Sequence, residues 1–247
     1  MPFSACAAQT AASAVDPSRP LGATACLDNV EDRILEIVNS ERAKVRFAPV
    51  LPEPTLRAIA RNHDDDILGR RFFSHINPSG EGPDDRIQRQ HRRLIGVTGE
   101  NIWESSGEYA AQQADLAGEI MKGWMGSPGH RENILRAEFT HLGVGVCAAG
   151  REIRATQDFA AIQAVLHTPL PASVQPGWQV FLSVEGGKKF AELFDLWSKT
   201  TRAPATKPAA VTGARIEAPP GVYVVRFYFE RAPNSFNIFD GPSLEVR

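Results

Sequence analysis

Apolar residues recur at three-and-four spacing early in the chain. Val30, Ile34, Ile37, Val38 and Val45 fall on one face of a helix expected over 29–45, with Glu31, Asp32, Glu36 and Glu41 turned largely outward. Asp28 and Glu31 have the spacing of a capping box, in which each side chain satisfies a free backbone N–H at the helix start. Pro49, Pro52 and Pro54 then break the chain. Pro54 suits the first turn of a second helix that carries Leu56, Ile59, Ala60, His63 and Ile67 on one face and ends near Leu68. Pro78, Gly80, Gly82 and Pro83 mark a loop, after which Asp84 or Asp85 can cap a short helix through Ile87 toward Gln90. Gly96 and Gly99 punctuate the chain again. Ala110, Ala114, Ala117, Ile120, Met121 and Trp124 outline a third long helix between Tyr109 and Met125, stopped by Gly126 and Pro128. A short helix follows over Gly129 to Leu135.

The period then changes from helix to strand. Leu142 to Cys147 alternates large and small residues, and Ala148-Ala149-Gly150 is a turn into a second strand, Ile153 to Ala160. Helices first and antiparallel strands mostly after argue for α+β layering. Beyond Ile162, Pro169, Pro171 and Pro176 space a linker, and every later periodic segment has strand spacing. Trp178, Val180, Leu182 and Val184 share one strand face, as do Tyr223, Val225, Phe227 and Phe229, and Gly186-Gly187 and Pro219-Pro220-Gly221 supply turns. Five or six strands fit between 172 and 247. Pro219 to Tyr223 looks like the approach to the penultimate strand of small immunoglobulin-like sandwiches, where the tyrosine hydroxyl closes a corner.

Composition narrows the picture. At 247 residues, two domains are the better expectation, and 43% hydrophobic with 23% charged residues describe a globular chain. A formal charge of −2 gives no drive toward nucleic acid, and the basic runs Arg70-Arg71 and Arg89 to Arg93 lie beside acidic ones. No apolar stretch approaches the ~18–20 residues of a transmembrane helix. The first 27 residues are rich in Ala, Ser, Thr and Pro and read as a signal or lipoprotein-type leader or a linker. Phe3-Ser4-Ala5-Cys6 resembles a lipobox, so Cys6 is a candidate lipid anchor, although five residues are too few for the apolar core of a signal peptide. Three cysteines leave one over. Cys26, just before the first helix, and Cys147, at the end of a core strand, are expected to be bridged in an exported protein, against the alternative of three free thiols.

Four motifs occur in order: Phe72 to Pro78 (FFSHINP), Gly99 to Ile102 (GENI), Trp124 to Leu135 (WMGSPGHRENIL) and Leu142 to Val146 (LGVGV). Together they resemble the bacterial SCP-like branch of the CAP superfamily, over about residues 28–165. The resemblance implies a three-layer α-β-α sandwich with a central antiparallel sheet, here followed by a small all-β sandwich at 172–247. It further implies a cleft with two histidines and two acids. By motif position His75 and His130 match the histidines and Glu100 the first acid. Three residues after the helix tryptophan, where other branches carry the second acid, this chain has Ser127.

Taken alone, His75 after an apolar pair reads as a partly buried structural histidine, Glu100 as a loop-fixing acceptor, and His130 as a helix-cap residue; the motif context moves all three to a cleft. Asn101 and Asn133 are expected to tie loop backbone together, and Arg86, after Asp85, to support the cleft wall through an ion pair. His63, His91, His141 and His167 have no partner at metal spacing and read as structural or surface residues. The missing acid and the lack of a nucleophile–base–orienter set favour an exported, non-enzymatic module that binds a small hydrophobic, glycan or protein ligand. The alternative is a divalent-metal hydrolase in which His75, His130 and Glu100 hold Zn²⁺ or a similar ion weakly. A serine hydrolase built on Ser127 and His130 lacks a nucleophile elbow and an oxyanion-hole loop.

Overall fold

The computed structural model describes residues 24–106, 115–185 and 191–247, so Cys6, the first turns expected for the third helix and the Gly186-Gly187 turn lie outside the described residues. Among the described residues there are five helices: α1 (Asp28–Lys44), α2 (Pro54–Arg70), α3 (Pro83–Gln90), α4 (Leu116–Gly126) and α5 (Pro128–Ile134). The strands of the first part are β1 (Ala25–Cys26), β2 (Leu51–Pro52), β3 (Leu94–Ser106), β4 (His141–Ala149) and β5 (Glu152–Leu166). Those of the second part are β6 (Ser173–Val174), β7 (Gln179–Phe181), β8 (Val184–Glu185), β9 (Ala191–Ser198), β10 (Ala203–Pro204), β11 (Ala209–Ala210), β12 (Thr212–Arg215), β13 (Gly221–Ala232) and β14 (Ser235–Val246).

The large sheet runs β1-β4-β5-β3-β14-β13-β9-β10. Its first part is the middle layer of an α-β-α sandwich. On one face Ile34 and Val38 of α1, Ile120 and Trp124 of α4 and Ile134 of α5 pack on Val144, Val146 and Phe159. On the other, Leu56 and Ile59 of α2 and Ile87 of α3 pack on Leu94 and Ala160. The alternation of β4 explains how α2 approaches so closely: its large residues face the first core while Gly143 and Gly145 face α2. A Cβ on Gly143 would lie 2.1 Å from the Leu56–Arg57 backbone, and one on Gly145 2.6 Å from Arg61 N.

Two expectations need correction. Glu31 does not cap α1 or face water: Leu27 holds the cap position without a side-chain bond. The buried Glu31 carboxylate instead accepts from Arg57 Nε (2.5 Å), from Arg61 and from the Val146 amide (3.0 Å), joining α1 to α2 and β4. Second, the glycine-punctuated stretch after α3 is a 13-residue strand, β3, paired with β5 along its length from Leu94↔Val165 to Ser106↔Glu152. Its glycines serve close packing, since a Cβ at Gly96 would sit 2.2 Å from Ala161 O and one at Gly99 2.8 Å from the Phe139 ring. Arg86 forms an ion pair, as expected, with Glu100 (2.5 Å), and Asp85 pairs with Lys199 (2.5 Å) of the second part.

Cys26 and Cys147 stand opposite each other on β1 and β4 and are disulfide-bonded across 121 residues, as expected from the sequence. In the chain-entropy view a closed loop of that length contributes about 5 kcal/mol.

In the second part, β9, β13 and β14 form one layer and the separate β7–β12 pair covers it. Val180, Phe194, Tyr223, Val225, Phe227 and Leu244 fill the space between them, together with Ile95 of β3 and Ala164 and Leu166 of β5. The Tyr223 hydroxyl donates to Pro219 O (2.7 Å), the corner anticipated from the Pro-Pro-Gly-Val-Tyr run. β14 meets β3 at the register pair Asp240↔Gly96. The connecting segment is pinned, with Arg92 donating to Leu170 O (3.0 Å) and Pro171 O (2.7 Å).

Candidate functional site

Strand register places the central carboxylate. Glu100 stands opposite Asp158 and Asn101 opposite Gln157 on β5, and the two-residue period sends the acidic pair toward α2 and α3 and the amide pair toward α5. The chain leaves α2 through Arg71, whose φ of 54° turns it into the Phe72–Pro78 loop. That loop carries His75 back to the strand, where its Nδ1 meets Glu100 Oε1 at 2.7 Å. Arg86 of α3 ties both together: its guanidinium donates to Glu100 Oε2 (2.5 Å), to His75 O (2.9 Å) and to Glu81 O (3.0 Å). Asn77 Oδ1 accepts from the amides of Ser79 and Glu81, closing the loop on itself.

His130 arrives on α5. Asn101 Nδ2 donates to His130 O (3.0 Å), and Asn133 Nδ2 donates to Glu100 O (3.1 Å) and Asn101 Oδ1 (2.9 Å), so the two asparagines hold α5 against β3. From behind, the buried Arg42 donates to Ile134 O, Arg136 O and Phe139 O. Burial, and then the neighbouring His75 imidazole, lower the His130 pKa, which favours its neutral form. Ser127 holds the cap position of α5 without a side-chain cap bond, and among the described residues no hydrogen bond joins it to His130.

A carboxylate on Nδ1 leaves the Nε2 of His75 facing outward on a side chain that is 47% exposed. Phe73 and Ile76 on either side of it are also exposed, at 42% and 59%. Both oxygens of Glu100 are engaged, so the expected trio of metal ligands reduces to two imidazoles with Glu100 as orienter. Among the described residues no three His, Cys, Asp or Glu side chains are gathered to hold a metal ion. Stable zinc sites generally use three or four protein ligands, so this donor set does not fit one.

Sequence reasoning missed what lies beneath Glu100. His63, assigned a structural or surface role, is fully buried with Nε2 4.0 Å from Glu100 Oε2 and its ring 5.9 Å from that of Phe72. Burial foremost lowers its pKa to about 4; Glu100 opposes this and Arg86 adds to it. Asp64 and Asp158 are fully buried, and burial pushes both carboxyls well above the usual range. Thr156 donates to Asp64 Oδ1 (2.6 Å), but among the described residues Asp64 Oδ2 and both oxygens of Asp158 have no hydrogen-bond partner. The available signal was polar residues at alternate positions, Thr156 and Asp158, inside an apolar strand.

A three-layer sandwich that sets His75 of a loop against Glu100 of a strand, with His130 of a short helix nearby, defines the class of this domain. The family model of CAP, the cysteine-rich secretory protein family, matches residues 35–159, and the chain belongs to that family. It is 30% identical over 144 residues to the uncharacterized protein YkwD of Bacillus subtilis (strain 168), covering 58% of this chain and 52% of that protein. It is 28% identical over 116 residues to YlbC, an uncharacterized membrane protein of the same strain, covering 47% of this chain and 31% of that one. The chain thus spans about half or less of the length of these curated relatives. Among solved structures it is similar to an outer surface protein from Borrelia burgdorferi, with a TM-score of 0.50 and 16% identity, covering 57% of this chain and 98% of that one. At that identity the likeness is one of fold.

Proposed function

We propose that this protein is an exported CAP-domain module that binds a ligand or partner at the His75–Glu100–His130 cleft without catalysing a reaction on it. The observation that carries the reading is the full engagement of Glu100: with one oxygen on His75 and the other on Arg86, it braces the cleft and is free neither to ligate a metal nor to take a substrate proton. The exposed Phe73 and Ile76 suit a small hydrophobic ligand, a glycan's apolar face or a protein surface. Export is supported by the Cys26–Cys147 disulfide, a bond that persists in oxidising compartments. Residues 28–165 are the binding domain in this reading. Residues 172–247, with their tyrosine corner, are an immunoglobulin-like unit for attachment or a second contact, and Cys6 is the lipid anchor.

The contact between Glu100 and His75 Nδ1 favours one second reading, because a carboxylate behind a histidine is the usual outer-shell support of a metal-bound imidazole. His75 Nε2 and His130 would then share a weakly held Zn²⁺ with ligand or water. Melting curves with chelator and with added Zn²⁺ separate the two. An unchanged melting temperature supports the binding module, and a shift of several degrees supports the metal site.

A further inference from the structure

The sheet of the second part has one filled face and one open face. Phe194, Val225 and Phe227 point to the side that the β7–β12 pair covers. Strand register decides what the other side carries. Asp195, Arg226 and Asp240 stand side by side on β9, β13 and β14, as do Leu193, Tyr228 and Ile238, with Trp197 opposite Val224 and Phe236 opposite Glu230 in the rows to either side. On this open side α3 packs against β14, and a groove of roughly 260 Å³ runs between them. It is lined by Asp84 and Ile87 of α3, Gly96 and Thr98 of β3, and Ile238 and Asp240 of β14, so both parts of the chain build it. Ile238 is 46% exposed. Beside it Tyr228 and Phe236 are half-buried and meet edge to face, and Trp197 is half-buried as well, so an apolar and aromatic strip leads out of the groove across the sheet.

Charge on this face is unbalanced. Arg226 lies over the Trp197 ring, 4.3 Å from its centroid, and pairs with Asp195, while Lys199 pairs with Asp85 (2.5 Å). Both cations beside the groove are thus taken by carboxylates that do not line it. Within it Asp84 accepts from the Thr98 hydroxyl, and among the described residues neither Asp84 nor Asp240 has a cation at ion-pair distance. Desolvation in the groove raises the Asp240 carboxyl above its usual value; Arg226 opposes this and Asp84 adds to it, so the two carboxylates feel each other. An acyl chain laid here would leave both charges without partners, and a polyanion would be repelled. A divalent ion would need a third donor, and among the described residues no three are gathered. The complement is a cation on an aliphatic stem, with a head for Asp84 and Asp240 and methylenes for Ile238: a lysine or arginine side chain. The strip of Ile238, Tyr228, Phe236 and Trp197 beyond has the aromatic enrichment of an interface core and gives the residues flanking that cation a place to lie, which suits a protein segment over a free amine.

We propose that the α3–β14 groove and the adjoining sheet face dock a partner protein through a lysine or arginine flanked by apolar residues. This gives the second contact assigned to residues 172–247 a place and a chemistry, and it holds whether or not the cleft binds a ligand. The test is a chemical-shift titration of the full chain with the capped tripeptides Val-Lys-Val and Val-Arg-Val, run beside Val-Gln-Val and Val-Glu-Val. Saturable shifts at the backbone amides of Gly96, Thr98, Ile238 and Asp240 are expected with at least one basic peptide, at least tenfold weaker with the glutamine peptide and absent with the glutamate one. Asp84→Asn combined with Asp240→Asn removes both charges and leaves Thr98 an oxygen to donate to; it should weaken the basic peptide at least tenfold. Ile238→Ser, on an exposed side chain, should weaken it severalfold, and His130→Ala should leave it unchanged. The proposal is overturned by no saturable shift with either basic peptide, by equal binding of the glutamine peptide, by shifts centred on the cleft, or by groove variants that bind as well as the parent. A chain that sediments as a dimer and becomes monomeric on the paired Asn substitutions would give the groove to a second copy and overturn it too. None of these outcomes bears on the metal test of the cleft.

Discussion

Glu31 and Glu100 are equally withdrawn from water, each with 1% of its side chain exposed, but the chain surrounds them differently. Glu31 receives two guanidinium groups from α2 and a backbone amide from β4, and the next residue on that strand, Cys147, is locked by a disulfide. That is a closed joint. Glu100 receives one guanidinium and one imidazole that is half in solvent, and beneath it His63, Asp64 and Asp158 keep unpartnered polar atoms among the described residues. A carboxylate that only holds a fold together is saturated by the fold. Glu100 is held by one guanidinium and a half-exposed imidazole, and the orphaned polar groups beneath it are a cost in stability that the Glu31 joint does not carry.

The largest effect expected from this contrast is on the closed side. Replacing Cys26 and Cys147 by Ala should lower unfolding free energy by about 5 kcal/mol, while the His75 and His130 ring signals in NMR spectra stay in place. Displacement of those signals would mean that the two joints are not independent. Arg86→Ala comes next. It leaves Glu100 charged and buried with only an imidazole, so a loss of about 3 kcal/mol or more is expected in urea unfolding. Arg61→Ala should cost less, because Glu31 keeps Arg57 and the Val146 amide. Equal losses would erase the distinction drawn between the joints.

A smaller effect, of opposite sign, is expected at Asp158. Burial raises the pKa of Asp158 and Asp64 in the folded state, so their contribution is fully present below the unfolded carboxylate value of about 3.9 and is lost as pH rises through the folded values. His63 runs the other way: its folded pKa of about 4 lies below the unfolded value of about 6.5, so its contribution is present above 6.5 and lost as pH falls between the two. Asp158→Asn removes the first penalty. It should raise stability at pH 8 by about 1 kcal/mol and leave a flatter profile between pH 5 and 8. A destabilised variant at pH 8 would show that Asp158 is ionised and needed as a charge.

The sequence was most readable where local pattern and packing agree. The buried face of α2, the glycine alternation of β4, the Tyr223 corner and the Cys26–Cys147 bridge all follow from spacing and residue type. β3 was hidden because Gly96 and Gly99 look like loop residues until Ala161 and Phe139 are seen pressed against them. Glu31 looked like a cap because its partners, Arg57, Arg61 and Val146, are supplied by elements that pack only in the folded chain. The motifs singled out His75, Glu100 and His130. His63 and Asp158 stayed out of sight because strand register and helix packing, not spacing, bring them beneath Glu100.

The central claim is that Glu100 is spent on holding His75, and the His75 tautomer reports on this directly. A long-range ¹H–¹⁵N correlation spectrum of the full chain, recorded with the ring neutral, should show the proton on Nδ1 and a bare Nε2. Glu100→Ala should release the ring to the mixture of tautomers seen in free histidine. A proton on Nε2 in the parent protein, or a tautomer indifferent to the loss of Glu100, would contradict the account.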